Sequence, residues 1–171
     1  MKKLGITLLC LLIIGFSRAQ DFENKGNYMS VGIGTDLFVS HADDGFAIGP
    51  FLINYERGIT DMIGIGRFGA GLSAEYSVYT GEYNDKVADG SRLILMGRGT
   101  YHFEFNVPKM DVYAGAGLGG HFSDTDYYGR SFELKHRVFA GIRYYFKSNL
   151  GVYGEVGIGS SMANGGFVLA F

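Results

Sequence analysis

Tryptophan is absent from the 171 residues, cysteine occurs once and proline twice. The one cysteine, Cys10, lies within an apolar stretch near the start. The rest of the chain therefore has no thiol for a disulfide, a thiolate nucleophile or a zinc–thiolate site. No apolar run approaches the roughly 20 residues that a membrane-crossing helix needs. An excess of positive charge is also missing: 15 basic residues face 17 acidic ones. Without a basic stripe, nucleic acid is not an expected partner. Helical patterning is lacking as well.

Glycine and aromatics are abundant instead, with 28 Gly, 12 Tyr and 14 Phe. Glycine costs a helix about 1 kcal/mol per residue, so their joint abundance favours an all-β chain. The apolar content is too high for a disordered one.

Residues 1–19 have the form of a secretory signal. Lys2 and Lys3 precede the apolar run Leu4 to Phe16, and Ser17-Arg18-Ala19 precedes Gln20. This run is too short to span a bilayer as a helix. Cleavage after Ala19 is expected, leaving residues 20–171 as one domain. It removes Cys10, Lys2, Lys3 and Arg18, so 12 basic residues remain against 17 acidic ones.

The remaining chain alternates with period two. From Val138 to Phe146 the even positions are Val, Ala, Ile, Tyr and Phe, and the odd ones are Phe, Gly, Arg and Tyr. Leu150 to Gly159 repeats the pattern, with Leu150, Val152, Val156 and Ile158 opposite Gly151, Tyr153, Glu155, Gly157 and Gly159. Period two marks a strand with two unlike faces. Eight such strands are predicted: 28–39, 46–57, 63–79, 92–105, 112–123, 132–146, 150–159 and 167–171. Pro50 points to a bulge or edge in the second strand. A change of parity in the third calls for a bulge near Gly66-Arg67. Thr80 to Ser91 is expected to be the longest loop, and Asn164-Gly165-Gly166 a hairpin turn.

Spans of about 9–11 residues suffice for tilted strands in a membrane, and a sheet in lipid must close on itself. The prediction is a closed eight-stranded antiparallel up-and-down transmembrane β-barrel. Gly32, Gly69, Gly71, Gly115, Gly117, Gly119, Gly141 and Gly157 share the polar parity, making room in a narrow lumen for Arg98, Arg143, Tyr113, Tyr153 and Glu155. Tyr55, Phe103, Phe105, Tyr144, Phe146 and Phe171 fall near the short-turn ends, where an aromatic girdle is expected.

The strands 140–146 and 153–159, with the terminal Phe171, resemble the eight-stranded outer-membrane barrels of Gram-negative bacteria, the OmpA/OmpX-like or "porin family" group. The resemblance implies a cell outer-membrane location, lipid and lipopolysaccharide as surroundings, and Phe171 as a signal to the insertion machinery. It implies no cofactor and no catalytic residue. The loops are left to meet an extracellular partner.

Candidate chemistry is sparse. Glu75, Arg98, Glu104, Arg137, Arg143 and Glu155 share the inward parity. They fit either an ion-paired plug or a narrow passive pore, and the small lumen favours the plug. His121, Ser123 and Glu133 resemble the His-x-Ser arrangement of lipid A deacylases, and such a set suits acyl transfer. However, Phe122 takes the lipid-facing parity, turning His121 and Ser123 inward. Asp43, Asp44, Glu82, Asp85, Asp89, Asp124 and Asp126 are oxygen donors of the kind that suits calcium or magnesium, or simply a solvated surface. His41, His102 and His136 have no metal spacing, so no metal is expected. A secreted lipocalin-like barrel is the soluble alternative. It would turn Tyr113, Gly115, Gly117, Gly119 and Tyr153 to water and crowd every large aliphatic inward.

Overall fold

The computed structural model describes residues 22–35, 46–83, 86–125 and 129–171. Among these the chain forms eight strands: β1 (Asn27–Thr35), β2 (Phe46–Gly58), β3 (Gly66–Tyr83), β4 (Lys86–Phe103), β5 (Met110–Thr125), β6 (Gly129–Tyr145), β7 (Leu150–Ile158) and β8 (Ala163–Ala170). Each pairs antiparallel with its sequence neighbour, and β8 returns to β1, closing the barrel. The fold is thus an all-β, up-and-down closed barrel. The expected signal, and the loop carrying His41, Asp43 and Asp44, lie outside the described residues, as do Asp85 and Asp126.

The polarity of the wall is inverted relative to a water-soluble barrel. Val156 and Ile158 are 63% and 72% exposed, while Arg143 and Glu155 are each 2% exposed. Val31, Ile33, Ile53, Leu72, Leu118, Val138 and Phe167 also face outward. This arrangement contradicts the lipocalin alternative, which needs the opposite faces. A closed sheet leaves no strand edge to solvate, so it can stand in hydrocarbon. A small aromatic cluster of Phe22, Tyr28, Tyr145 and Tyr153 with Val168 and Ala170 fills the end of the lumen where β1 begins, here called the lower end.

Several boundaries differ from the sequence reading. β3 and β4 continue past the expected loop and pair as far as Tyr83↔Lys86. β5 and β6 likewise pair as far as Thr125↔Gly129. Above the apolar band both faces of a hairpin meet water, so the alternation that marks a strand disappears while the ladder continues. Asn164, Gly165 and Gly166 are not a turn but part of β8, paired with Glu155, Gly154 and Tyr153. The connection lies at residues 159–162, where Gly159 has φ +120°. No bulge occurs near Gly66; instead Ile63 and Gly66 bridge a tight turn, with Gly64 at φ +68°. The bulge falls between Ile48 and Phe51, around Pro50.

Candidate functional site: the filled lumen

Inward positions from six strands bring charges into two clusters. The lower one is centred on Arg143 of β6. Its guanidinium donates to Glu56 Oε2 of β2, and to Asp111 Oδ2 of β5 at 3.3 Å. His102 of β4 lies between the same two acids. Its Nδ1 is 2.8 Å from Asp111 Oδ1 and its Nε2 is 2.6 Å from Glu56 Oε1. Thr100 donates its hydroxyl to Glu56. Rings of Tyr113 and Tyr28 flank the Arg143 guanidinium at 4.6 and 5.3 Å, within cation–π range.

The upper cluster is centred on Glu155 of β7. Arg98 Nη2 donates to Glu155 Oε1 at 2.6 Å, and Arg137 Nη1 donates to Oε2 at 2.8 Å. Tyr113 adds its hydroxyl at 3.0 Å. Phe139 projects between the two arginines, with guanidinium carbons 4.4 and 5.0 Å from its ring centre. Each carboxylate oxygen of Glu155 therefore has an arginine, as a buried charge requires. Glu75 stands to one side, buried, accepting from Ser160 Oγ at 3.0 Å.

Charge bookkeeping joins the clusters. Arg98, Arg137 and Arg143 face Glu56, Glu75, Asp111 and Glu155, all buried.

Of the six residues expected to form a lumen network, Arg98, Arg137 and Glu155 meet directly, and Arg143 joins other partners. Glu75 is buried with Ser160. Glu104 stands apart at the lower mouth, paired with Arg67. The sequence reading missed Glu56, Asp111 and His102 as members. Glu56 and His102 were on the inward parity, and a count of inward acids against inward bases would have found Glu56. Asp111 was lost because it was assigned to a turn.

His121 and Glu133 are directly paired across β5 and β6, with His121 Nδ1 3.6 Å from Glu133 Oε2. Lys135 also reaches Glu133, at 3.0 Å. Ser123 Oγ lies 2.6 Å from Ser131 Oγ, the residue opposite it, rather than against His121. Asp124 pairs with Arg130 on the outer surface of the same hairpin. No group of three His, Cys, Asp or Glu side chains among the described residues is arranged to hold a metal ion. Phe171 is exposed at the lower rim, exchanging main-chain hydrogen bonds with Asn27 at 2.9 and 3.1 Å.

A closed cylinder of eight strands, aliphatic outside and ion-paired within, decides the architecture. This is a small closed eight-stranded up-and-down barrel with an apolar outer wall. No family model and no curated protein matches the sequence. Two solved structures are similar in fold. Neisserial surface protein A (NspA) aligns with a TM-score of 0.43 and 15% identity, over 85% of this chain and 92% of that one. Ail, the attachment invasion locus protein of Yersinia pestis, aligns with a TM-score of 0.44 and 9% identity, over 86% of this chain and 100% of that one.

Proposed function

We propose that this barrel is an integral outer-membrane protein of structural or surface-interacting role, with a lumen closed by its own side chains. The observation that carries this reading is the inverted wall: Ile158 and Val156 outside, Arg143 and Glu155 inside. Export follows cleavage of the leader after Ala19. Phe171, at the seam of β1 and β8, is the insertion signal read by the outer-membrane assembly machinery. Lipid and lipopolysaccharide surround the aliphatic band. The β3–β4 and β5–β6 hairpins, with strands of 16 to 18 residues against 9 and 8 in β7 and β8, rise furthest among the described residues and are the surfaces offered to an extracellular partner. No catalysis is assigned, since the Ser123 hydroxyl is engaged with Ser131.

Cell fractionation and gels run with and without boiling test the location. The protein is expected in the outer-membrane fraction with heat-dependent mobility; a soluble, heat-indifferent protein refutes the reading. Planar-bilayer recording tests the plug, for which no steady current is expected. Sustained conductance replaces it with the narrow passive pore.

A further inference from the structure

The segment ahead of β1 lies outside the ladder that closes the barrel. Closure begins at Asn27, bonded to Phe171. Nevertheless Phe22–Gly26 turns into the lower mouth. The Phe22 ring lies flat on His102, with centroids 3.5 Å apart and planes 2° from parallel, and it also stacks on Tyr28 at 4.7 Å. Arg67 Nη1 donates to the Phe22 carbonyl at 2.9 Å. Glu23 N–H donates to the Tyr28 hydroxyl at 2.8 Å. Lys25 N–H donates to the Gly58 carbonyl at 2.9 Å, and Gly58 N–H to the Gly26 carbonyl at 3.0 Å.

The wall is shaped to receive this segment. A methyl group at Gly58 would lie 2.0 Å from the Glu23 carbonyl oxygen, and one at Gly69 would lie 2.9 Å from Phe22 Cζ. Beside Phe22 a void of about 10 Å³ remains, lined by Arg67, His102, Glu104 and Asp111. That is the lower limit for a single water.

We propose that Phe22–Gly26 is a removable gate over the lower mouth. With Phe22 seated, the Glu56–His102–Asp111–Arg143 cluster is sealed from water. With Phe22 released, that cluster floors a cup open to the periplasm. The side it faces rests on the outer-membrane reading above. The gate opens without unfolding because none of its five residues belongs to a strand, and the eight-strand ladder stays closed when they leave. Local opening of a short segment outside the ladder costs far less than global unfolding.

The chain without its leader has no cysteine, so a single introduced thiol reports access. Thr100→Cys places it behind Phe22, and Ser77→Cys places it in the upper lumen as a control. Folded protein of residues 20–171 in detergent is labelled with a small cationic methanethiosulfonate, with and without Phe22→Gly. Thr100→Cys is expected to label roughly tenfold to a hundredfold faster once Phe22 is gone, the factor for freeing one buried phenylalanine, while Ser77→Cys keeps its rate. Phe22→Tyr, which retains the ring, is expected to keep labelling slow.

Slow labelling of Thr100→Cys in both backgrounds overturns the gate alone. Parallel acceleration at both cysteines also overturns it, since the whole barrel has then loosened. Fast labelling with Phe22 in place refutes the closed lumen itself. Should Phe22→Gly not fold, hydrogen exchange on the unmodified protein decides. The Lys25 amide is expected to exchange at least about tenfold faster than the β1 amides if the segment opens locally. Equal rates overturn the gate.

Discussion

The two faces of the barrel wall treat the same residue type in opposite ways. On the inner face, a methyl group at Gly119 would lie 1.9 Å from the Leu95 carbonyl oxygen, and one at Gly71 would lie 2.0 Å from that of Tyr55. On the outer face, a methyl group at Gly99 would meet nothing within 4 Å, and those at Gly97 and Gly154 meet their nearest atom at 4.0 Å. Inside, glycine is a steric necessity at these positions, because the backbone of the neighbouring strand stands where a Cβ would lie. Outside, Gly97, Gly99 and Gly154 carry no such demand, whereas a methyl group at Gly120 would meet the Phe132 ring at 2.7 Å. At the compared positions the inner face is specified by backbone packing, and the outer face by affinity for hydrocarbon.

Four substitutions sharpen or break this contrast, each read as a shift in the urea midpoint of the heat-modifiable band in lipid. The largest effect is expected inside. Arg143→Met leaves Glu56 and Asp111 buried without their guanidinium, costing about 3–5 kcal/mol. Next comes Val138→Lys, which places a charge on the lipid face between Tyr144 and Phe132; about 2–4 kcal/mol is expected near the bilayer midplane. Gly119→Ala forces the backbone against Leu95, at about 1–3 kcal/mol. Gly99→Ala is the smallest, within about 0.5 kcal/mol of zero. A Gly99→Ala loss as large as that of Gly119→Ala would erase the distinction between the faces. Indifference to Val138→Lys would remove lipid from the outside altogether.

The same contrast explains what could be read from sequence. Where one face meets hydrocarbon and the other the lumen, alternation is strong, and the faces of β6 from Val138 onward and of β7 were legible. Higher up, Asp89–Ser91 and Gly129–Ser131 are exposed or half-exposed on both faces, and the strand character of these hairpin ends left no trace in hydropathy. Asn164-Gly165 carried a turn signal that the ladder overrode, because a methyl group at Gly166 would lie 2.1 Å from the Val31 carbonyl oxygen. Polar residues were placed on the correct face, yet their partners were not. Arg143 and Glu56 lie 87 positions apart. Their meeting depends on how far each strand is staggered around the cylinder, a quantity that period-two patterning does not encode. His102 was set aside for want of metal spacing, when its environment is two carboxylates and a phenylalanine from ahead of β1.

The seam between β1 and β8 has a consequence for biogenesis. Eight residue pairs, from Tyr28↔Ala170 to Thr35↔Ala163, join the first strand to the last. Until β8 arrives, β1 has one naked margin that no lipid can satisfy. A half-molecule would therefore leave that margin unpaired, and the seam can close only once the last hairpin is present. Contacts this remote in sequence form slowly, so joining β1 to β8 is expected to be the slow step in completing the wall.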